Sequence, residues 1–193
     1  MRRRTFLLSL LVLAGCATTG PLPSGTRTYR DDVSLSGRLS VSYEHAGQPQ
    51  SLQGKFSWRQ RRDHTDIELY SPLGQTIARI TIMPGLARLQ QSNGSIHEAG
   101  SVDALTEAAL GWPLPVDGLR FWLQGFVADT DQGLHAVTPA GPASLHSDGW
   151  RLNYVSWQDG GGYPTPKRID FTRDASRSPL ALRIVIDGWN DGD

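Results

Sequence analysis

The feature that most constrains the fold is a strict alternation of apolar and polar residues that begins at Val33. Successive side chains of an extended strand point to opposite faces, so a period of two gives each strand one apolar and one polar face. The apolar members of this pattern are Val33, Leu35, Leu39, Val41, Tyr43, Leu52, Phe56, Trp58, Ile67, Leu69, Ala78, Ile80, Ile82, Ile169, Phe171, Leu180, Leu182, Ile184 and Ile186. The sequence therefore predicts a mainly β fold.

Turn signals between these runs favour hairpins. Asn93-Gly94 and Asp148-Gly149 are strong two-residue turn signals, and Pro84-Gly85 is another. By these criteria we predict about eleven short antiparallel strands.

Two helices interrupt the strand pattern. We predict the first over Val102–Leu110, with Ser101 as its N-cap and Gly111 just past its end. The second is predicted over residues 116–124, because its apolar residues recur with the spacing of a helix that is buried on one face.

A long antiparallel sheet with one apolar face must cover that face. Two short helices cannot cover about eleven flat strands, so we predict a strongly curved sheet: an incomplete, unclosed antiparallel β-barrel with the helices as a lid over its apolar interior. The pattern leaves open whether side chains fill this interior or an apolar cavity remains for a ligand.

The first residues have the organisation of an export signal. Three arginines precede an apolar run over residues 6–14, which is too short to span a bilayer. The run ends in a lipobox, Leu13-Ala14-Gly15-Cys16, so we predict that residues 1–15 are a signal peptide and that Cys16 becomes the lipidated N-terminus. Because Ala17 and not aspartate follows the cysteine, we expect an outer-membrane location facing the periplasm.

The rest of the chain divides into a tether and one domain. Residues 16–30 are rich in Thr, Gly, Pro and Ser, which is typical of a tether, and residues 31–193 are long enough for one domain with a proper core. Removing residues 1–15 removes three of the nineteen basic residues and none of the nineteen acidic ones, which leaves a formal charge of −3. That charge argues against nucleic acid as a partner.

The sequence contains no recognisable catalytic pattern. The five histidines are scattered, the only cysteine is Cys16, and no nucleophile elbow or phosphate-binding glycine loop is present. Asp66 and Glu68 share one face of a strand, but this is typical of an ordinary polar face. We therefore predict no enzyme, no metal site and no cofactor.

One loop stands out between two predicted strands. In Ser71-Pro72-Leu73-Gly74-Gln75, proline at the second turn position and the glycine that follows Leu73 predict a tight turn with Leu73 at its tip. A leucine at a loop tip usually folds back onto the core, although single exposed leucines are common.

Several short motifs follow one another in the order found in a known protein family. The motifs are Gly37-Arg38-Leu39-Ser40-Val41, Phe56-Ser57-Trp58, Ser71-Pro72-Leu73-Gly74-Gln75, Leu110-Gly111-Trp112-Pro113-Leu114-Pro115-Val116, Trp122-Leu123-Gln124-Gly125, Gly149-Trp150 and Leu182-Arg183-Ile184-Val185-Ile186. The chain resembles the outer-membrane lipoprotein receptors called LolB from about Val33 to Trp189, and it also has the lipobox that this family requires.

The resemblance implies an unclosed barrel with a helical lid over an apolar cavity. It also implies a monomeric receptor that accepts lipoproteins from the periplasmic carrier LolA, holds their acyl chains and inserts them into the outer-membrane phospholipid without nucleotide. In the family, the exposed leucine of the Ser-Pro-Leu-Gly loop is needed for delivery, so Pro72, Leu73 and Gly74 would form the membrane-insertion loop.

On this interpretation the acyl chains would contact the inner face of the sheet and the lid. The expected lining residues are Leu39, Val41, Phe56, Trp58, Ile67, Leu69, Ile80, Ile82, Leu105, Leu119 and Trp122. A second hypothesis is a lipid-anchored structural or assembly factor with a solid interior, whose sheet binds a partner protein. An anchored hydrolase is disfavoured because no nucleophile and base pattern is present.

Overall fold

The structure is a computed structural model that describes residues 21–129, 133–141, 144–173 and 179–190. Within these residues the strands and helices are β1 (Val33–His45), β2 (Gln48–Arg61), β3 (His64–Tyr70), β4 (Thr76–Met83), β5 (Leu86–Gln91), β6 (Ile96–Ala99), α1 (Val102–Leu110), α2 (Val116–Trp122), β7 (Phe126–Asp129), β8 (Gly133–Ala136), β9 (Leu145–Ser147), β10 (Trp150–Asp159), β11 (Pro164–Arg173) and β12 (Leu180–Asn190).

Ten of the strands form one antiparallel sheet in the order β6-β5-β4-β3-β2-β1-β12-β11-β10-β9. The pairing of β1 with β12 joins the first hairpins of the chain to the last, and Leu39 lies opposite Ile184 at this seam. The end strands β6 and β9 do not pair with each other, so the sheet is large and unclosed, as predicted. The remaining pair, β7 and β8, forms a separate two-stranded antiparallel sheet that the alternation pattern did not single out.

The register explains why one face of the sheet is apolar. Side chains that are directly opposite one another lie on the same face, and one buried row crosses five neighbouring strands. The members of this row are Leu35, Trp58, Ile67, Ile80 and Leu89. A slip of one residue in any pairing would turn the apolar set of that strand toward water, so burial of this face fixes the register.

The lid helices lie close to their predicted positions. Helix α1 has the predicted bounds, and it ends where Gly111 adopts a left-handed conformation with φ 84°. Ser101 occupies the N-cap position, but its side chain makes no capping hydrogen bond. Helix α2 ends at Trp122 rather than at residue 124, because the chain turns at Gly125, whose φ is 75°. Neither helix of the described residues has the length and apolar character needed to cross a bilayer.

The predicted turns are also present. Asp148-Gly149 connects β9 to β10 with positive φ at both positions, as a two-residue hairpin turn of this type requires. Pro84-Gly85 connects β4 to β5 directly, whereas four residues around Asn93-Gly94 separate β5 from β6.

Candidate functional site

The predicted lining residues are brought together between the lid and the buried face of the sheet, which we call its concave face. The opposite, polar face of the sheet is called its convex face. All of them belong to the hydrophobic cluster at the centre of the fold, and all but Ile82 are buried. Ile82, near the end of β4, is half-buried against the same cluster. Sequence periodicity thus located a single apolar surface formed by the inner face and the lid.

The lid packs directly onto this surface. The Trp122 ring of α2 lies 5.8 Å from the Phe171 ring and 6.5 Å from the Trp150 ring, centroid to centroid. The Tyr154 hydroxyl donates a hydrogen bond of 3.0 Å to the Trp122 carbonyl oxygen, so β10 also holds the end of α2. Burial raises the pKa of Tyr154, which keeps this hydroxyl protonated as a donor.

The connection between the two helices is fixed by a buried hydroxyl. The Thr106 side chain donates to the Val102 carbonyl at 3.0 Å and accepts the Leu114 N–H at 2.8 Å. Trp112, in the same connection, is only 1% exposed, although sequence analysis gave it no role in the lid beyond its motif. The five residues between α1 and α2 therefore form part of the lid rather than a loose loop.

A segment before β1 also contacts the lid. Residues 25–30, which we expected in the tether, lie against the domain, and Arg27 is 9% exposed. Its guanidinium donates to the Gly125 and Val137 carbonyl oxygens at 2.7 Å each, and to that of Pro164. We call residues 25–30 the strap.

The strap is also held by aromatic contacts. The Arg27 guanidinium lies 5.1 Å from the centre of the Phe126 ring and 5.2 Å from that of Trp157, both within cation–π range. The Tyr29 ring lies 5.3 Å from the Phe121 ring of α2, and its hydroxyl accepts a 2.8 Å hydrogen bond from Gln60. The composition of residues 16–30 suggested only a tether, but the contacts of Arg27 and Tyr29 with buried partners make this end of it part of the fold.

The predicted insertion loop projects away from the core. Leu73 is 91% exposed, and Pro72 and Gly74 on either side of it are exposed as well. The Gly74 N–H donates to the Ser71 carbonyl at 2.9 Å, and Gly74 has a φ of 87° that favours glycine. The turn therefore presents a large apolar side chain to solvent without support from the core.

The lid is bordered by two clefts. One, of about 360 Å³, lies between α1, α2 and the β2–β3 and β4–β5 turns, and the other, of about 470 Å³, lies beside Trp112 and the β1–β2 turn. In the first cleft, burial raises the pKa of Asp103, and the nearby carboxylate of Asp117 raises it further. Asp117 is exposed and Asp103 is half-buried, so the rim of the lid is polar, unlike its inner surface.

The described residues contain no group of three or more His, Cys, Asp and Glu side chains arranged to hold a metal ion. Asp66 and Glu68, the neighbouring carboxylates on β3, contact polar side chains of the convex face: Asp66 contacts His64 and Thr81, and Glu68 contacts Arg79. These contacts agree with an ordinary polar face for β3.

Comparison with known proteins decides the family. The model of the family described as "Outer membrane lipoprotein LolB" matches residues 31–189, which is most of the chain and includes the lid and all but the last residue of the main sheet. This chain belongs to the LolB family. The match begins two residues before β1 and ends within β12.

Individual LolB relatives agree with the family match. The chain is 38% identical to the outer-membrane lipoprotein LolB of Cupriavidus metallidurans, over 97% of both chains. It is 39% identical to that of Bordetella petrii, over 91% of this chain and 86% of the relative. Pseudomonas fluorescens LolB is 32% identical over 93% of this chain and 91% of the relative.

A solved LolA superfamily protein from Nitrosomonas europaea superimposes with a TM-score of 0.48 at 8% identity, over 86% of this chain and 89% of that one.

Membership of the LolB family assigns the chain to the outer membrane as a lipoprotein, as the sequence predicted. Cys16, the predicted lipidation site, and the signal peptide over residues 1–15 lie outside the described residues. The alignment with the relative from Cupriavidus metallidurans covers 97% of this chain.

Proposed function

We propose that this chain is a receptor that accepts lipoproteins from the periplasmic carrier LolA and inserts them into the outer membrane. The observation that carries the proposal is the LolB family match over residues 31–189, which covers both lid helices and all but the last residue of the main sheet. The lipid on Cys16 would hold the receptor at the membrane, and several acyl chains make spontaneous release slow.

The concave face and the lid would hold the acyl chains of the cargo. Because lid side chains such as Leu119 and Trp122 pack directly on this face, the lid must move before a chain can lie there. Exposing two or three lid side chains costs roughly 3 to 9 kcal/mol, at about 1.5 to 3 kcal/mol each. Burying one acyl chain of about fifteen methylenes gains roughly 12 kcal/mol relative to water, at about 0.8 kcal/mol per methylene. An acyl chain therefore stabilises an open lid by more than the closed packing is worth.

The net driving force is smaller than these figures, because the chain arrives from LolA and not from water. Transfer then depends only on the difference between the two proteins in how favourably they hold the chain, so no nucleotide is needed. No bond is formed or broken in this step. Leu73, exposed at its turn, would enter the edge of the bilayer and complete delivery.

A second candidate function is favoured by the direct packing of the lid on the sheet. If this packing is permanent, the chain is a lipid-anchored structural or assembly factor whose sheet binds a partner protein. Binding of an apolar dye separates the two functions: a lid that opens admits the dye, which cargo then displaces, whereas a solid interior does not.

The test of the proposed function uses the full lipidated chain in phospholipid vesicles. LolA loaded with a fluorescent triacylated lipoprotein is added, and the vesicles are separated from the supernatant by flotation. We expect the cargo to move to the vesicles only when the receptor is present. Cargo that stays with LolA in the presence of the folded receptor would show that the proposed function is wrong.

A further inference from the structure

The convex face of the sheet carries a cleft whose charge differs from that of the other clefts. It has a volume of about 330 Å³, lies across β12, β1 and β2, and reaches Pro72 of the insertion loop. Its lining includes Arg38, Lys55 and Arg183 and no carboxylate. Four other clefts of the described residues each include at least one Asp or Glu. The charged residues of this cleft are thus all cations, on a chain whose expected mature charge is −3.

The strand register places these cations around one hydroxyl. On the convex face Arg38 lies opposite Lys55, and the next outward residue of β1, Ser40, lies opposite both Gln53 and Arg183. Neighbouring residues on one face of a sheet are about 5 Å apart, so all five side chains reach the same small area. We call Arg38, Ser40, Gln53, Lys55 and Arg183 the headgroup cleft.

Two of the three cations are fixed by ion pairs outside the cleft. Arg38 makes two 2.8 Å hydrogen bonds to Asp187, which hold the pKa of that carboxyl below its usual value. Arg183 bonds Asp170 at 3.0 Å. These pairs position the guanidiniums and partly neutralise them.

Lys55 differs from both arginines. Within the part of the chain that the structure describes, its ammonium has no ion pair and no hydrogen bond. Its side chain is exposed, and its backbone pairs with Tyr70, two residues before Pro72. The unpaired positive charge of the cleft therefore lies beside the base of the Leu73 turn.

We propose that the headgroup cleft binds the phosphate of an anionic phospholipid in the bilayer that Leu73 enters. The inference rests on the proposed insertion role of Leu73. Phosphate accepts charge-assisted hydrogen bonds, and Lys55, Ser40 and Gln53 supply an ammonium, a hydroxyl and an amide as donors on one surface.

The dimensions of the loop suit this arrangement. Leu73 lies three residues beyond the level of Tyr70 and Lys55, which is at most about 10 Å at 3.3 Å per residue. Apolar side chains of peripheral proteins lie about 5 to 10 Å below the headgroup boundary. When Leu73 lies at that depth, Lys55 lies at the level of the phosphates.

The test measures insertion of the loop in the full lipidated chain, anchored in vesicles. An NBD fluorophore on Leu73→Cys reports whether the tip is in water or in lipid, because Cys16 is the only natural cysteine and its thiol would carry the lipid. Vesicles of phosphatidylcholine alone are compared with vesicles that contain one part phosphatidylglycerol in three.

We expect anionic lipid to raise the inserted fraction, and Lys55→Gln to lower the insertion equilibrium about fivefold in anionic vesicles only. Lys55→Arg should keep the effect of anionic lipid. Lys167→Gln is the matched control, since Lys167 is the only other lysine and lies on β11, away from the loop. It should leave insertion unchanged.

Four results would overturn the inference, and they lead to three different conclusions. If the loop of Lys55→Gln inserts as well as that of the parent, or if Lys55→Gln and Lys167→Gln lose insertion equally, the lipid-binding role of the cleft is rejected. The insertion role of Leu73 is then unaffected. Slower uptake of cargo from LolA by Lys55→Gln, with unchanged insertion, identifies the cleft as a protein-docking surface. A fluorophore that stays in water in every vesicle rejects both the cleft and the insertion role.

Discussion

The side-chain amide of Gln124 bonds both backbone polar groups of Arg30. Its Oε1 accepts the Arg30 N–H at 3.1 Å, and its Nε2 donates to the Arg30 carbonyl at 3.0 Å. Gln124 is 3% exposed and lies two residues past the end of α2. The strap and the end of the lid are thus joined by a pair of reciprocal hydrogen bonds, and α2 cannot move far from the sheet without breaking them.

Replacing Gln124 tests this link. Gln124→Leu removes both hydrogen bonds and leaves the Arg30 backbone groups without them, so we expect a loss of about 2 to 4 kcal/mol in the free energy of unfolding. Amide exchange in α2 should become faster than in the main sheet, because the lid loses its connection to the strap. Gln90→Leu, at an exposed position of β5, is the control and should change stability by less than about 0.5 kcal/mol. Equal protection of α2 in both variants would contradict the link.

Arg27 provides a second test of the strap. Its planar guanidinium contacts three carbonyl oxygens from different segments, an arrangement that a lysine ammonium cannot reproduce. Both Arg27→Lys and Arg27→Ala should therefore lower the free energy of unfolding, by about 2 to 4 kcal/mol for alanine, measured in urea. The cost arises from buried carbonyls left unpaired. A lysine variant with the stability of the parent would show that charge alone suffices.

The sequence predicted the parts of the fold that local patterns determine. The alternation of apolar and polar residues located the inner face, because a residue such as Ile80 must be buried whatever the strand order. Gly111 marked the end of α1, because few other residues adopt its left-handed conformation. The strap was not predicted, since the partners of Arg27 lie about 100 or more residues away in the sequence. The headgroup cleft was missed for the same reason: Arg183 and Lys55 become neighbours only through the pairing of β12, β1 and β2.

The exposure of Leu73 settles a point that the sequence left open. The sequence showed a turn but not whether its leucine would fold back, and the structure leaves it 91% exposed. The lining of the acyl site stays a prediction, because a buried face in the closed state is compatible with both a cavity that opens and a solid core.

A charge on the inner face should disrupt folding. Ile80 is 1% exposed at the centre of the buried row, so Ile80→Glu is expected to cost several kcal/mol in the free energy of unfolding and to abolish cargo binding. Ile80→Val is the control, with an expected cost of about 1 kcal/mol and retained binding. Thermal unfolding followed by circular dichroism checks both variants. A glutamate variant as stable as the valine one would mean that this face is open to water.

Acid should weaken the convex face. Burial raises the pKa of Asp170, but hydrogen bonds from Arg168 and Arg183 outweigh this effect and leave the pKa lowered. The carboxylate is therefore favoured in the folded state, so its stabilisation is complete above the ordinary pKa of about 4 and is lost as the pH falls through the lowered value. We expect Asp170→Asn to be less stable than the parent at pH 7, with a difference that narrows as the pH falls below 4. Urea unfolding at pH 7 and pH 3 measures this change, and a difference that widens in acid would contradict it.

Leu73 should matter for delivery and not for stability. Leu73→Glu changes an exposed tip, so the melting temperature should stay close to that of the parent, while insertion of cargo into vesicles fails because a charged tip no longer enters the bilayer. Uptake of cargo from LolA should continue. Ile96→Glu is the control, because Ile96 is also exposed, at 48%, on the edge strand β6. Delivery at the parent rate by a folded Leu73→Glu protein would contradict the role of the loop.

The central claim is that cargo acyl chains occupy the concave face beneath the lid. The most direct measurement loads LolA with a lipoprotein whose acyl chains carry a photoreactive diazirine, transfers it to the receptor, and maps the cross-linked peptides by mass spectrometry. The account predicts cross-links to inner-face and lid residues such as Leu39, Ile80 and Trp122, and none to convex-face residues such as Arg38. Cross-links confined to the convex face, or none on the receptor while cargo still reaches the membrane, would contradict it.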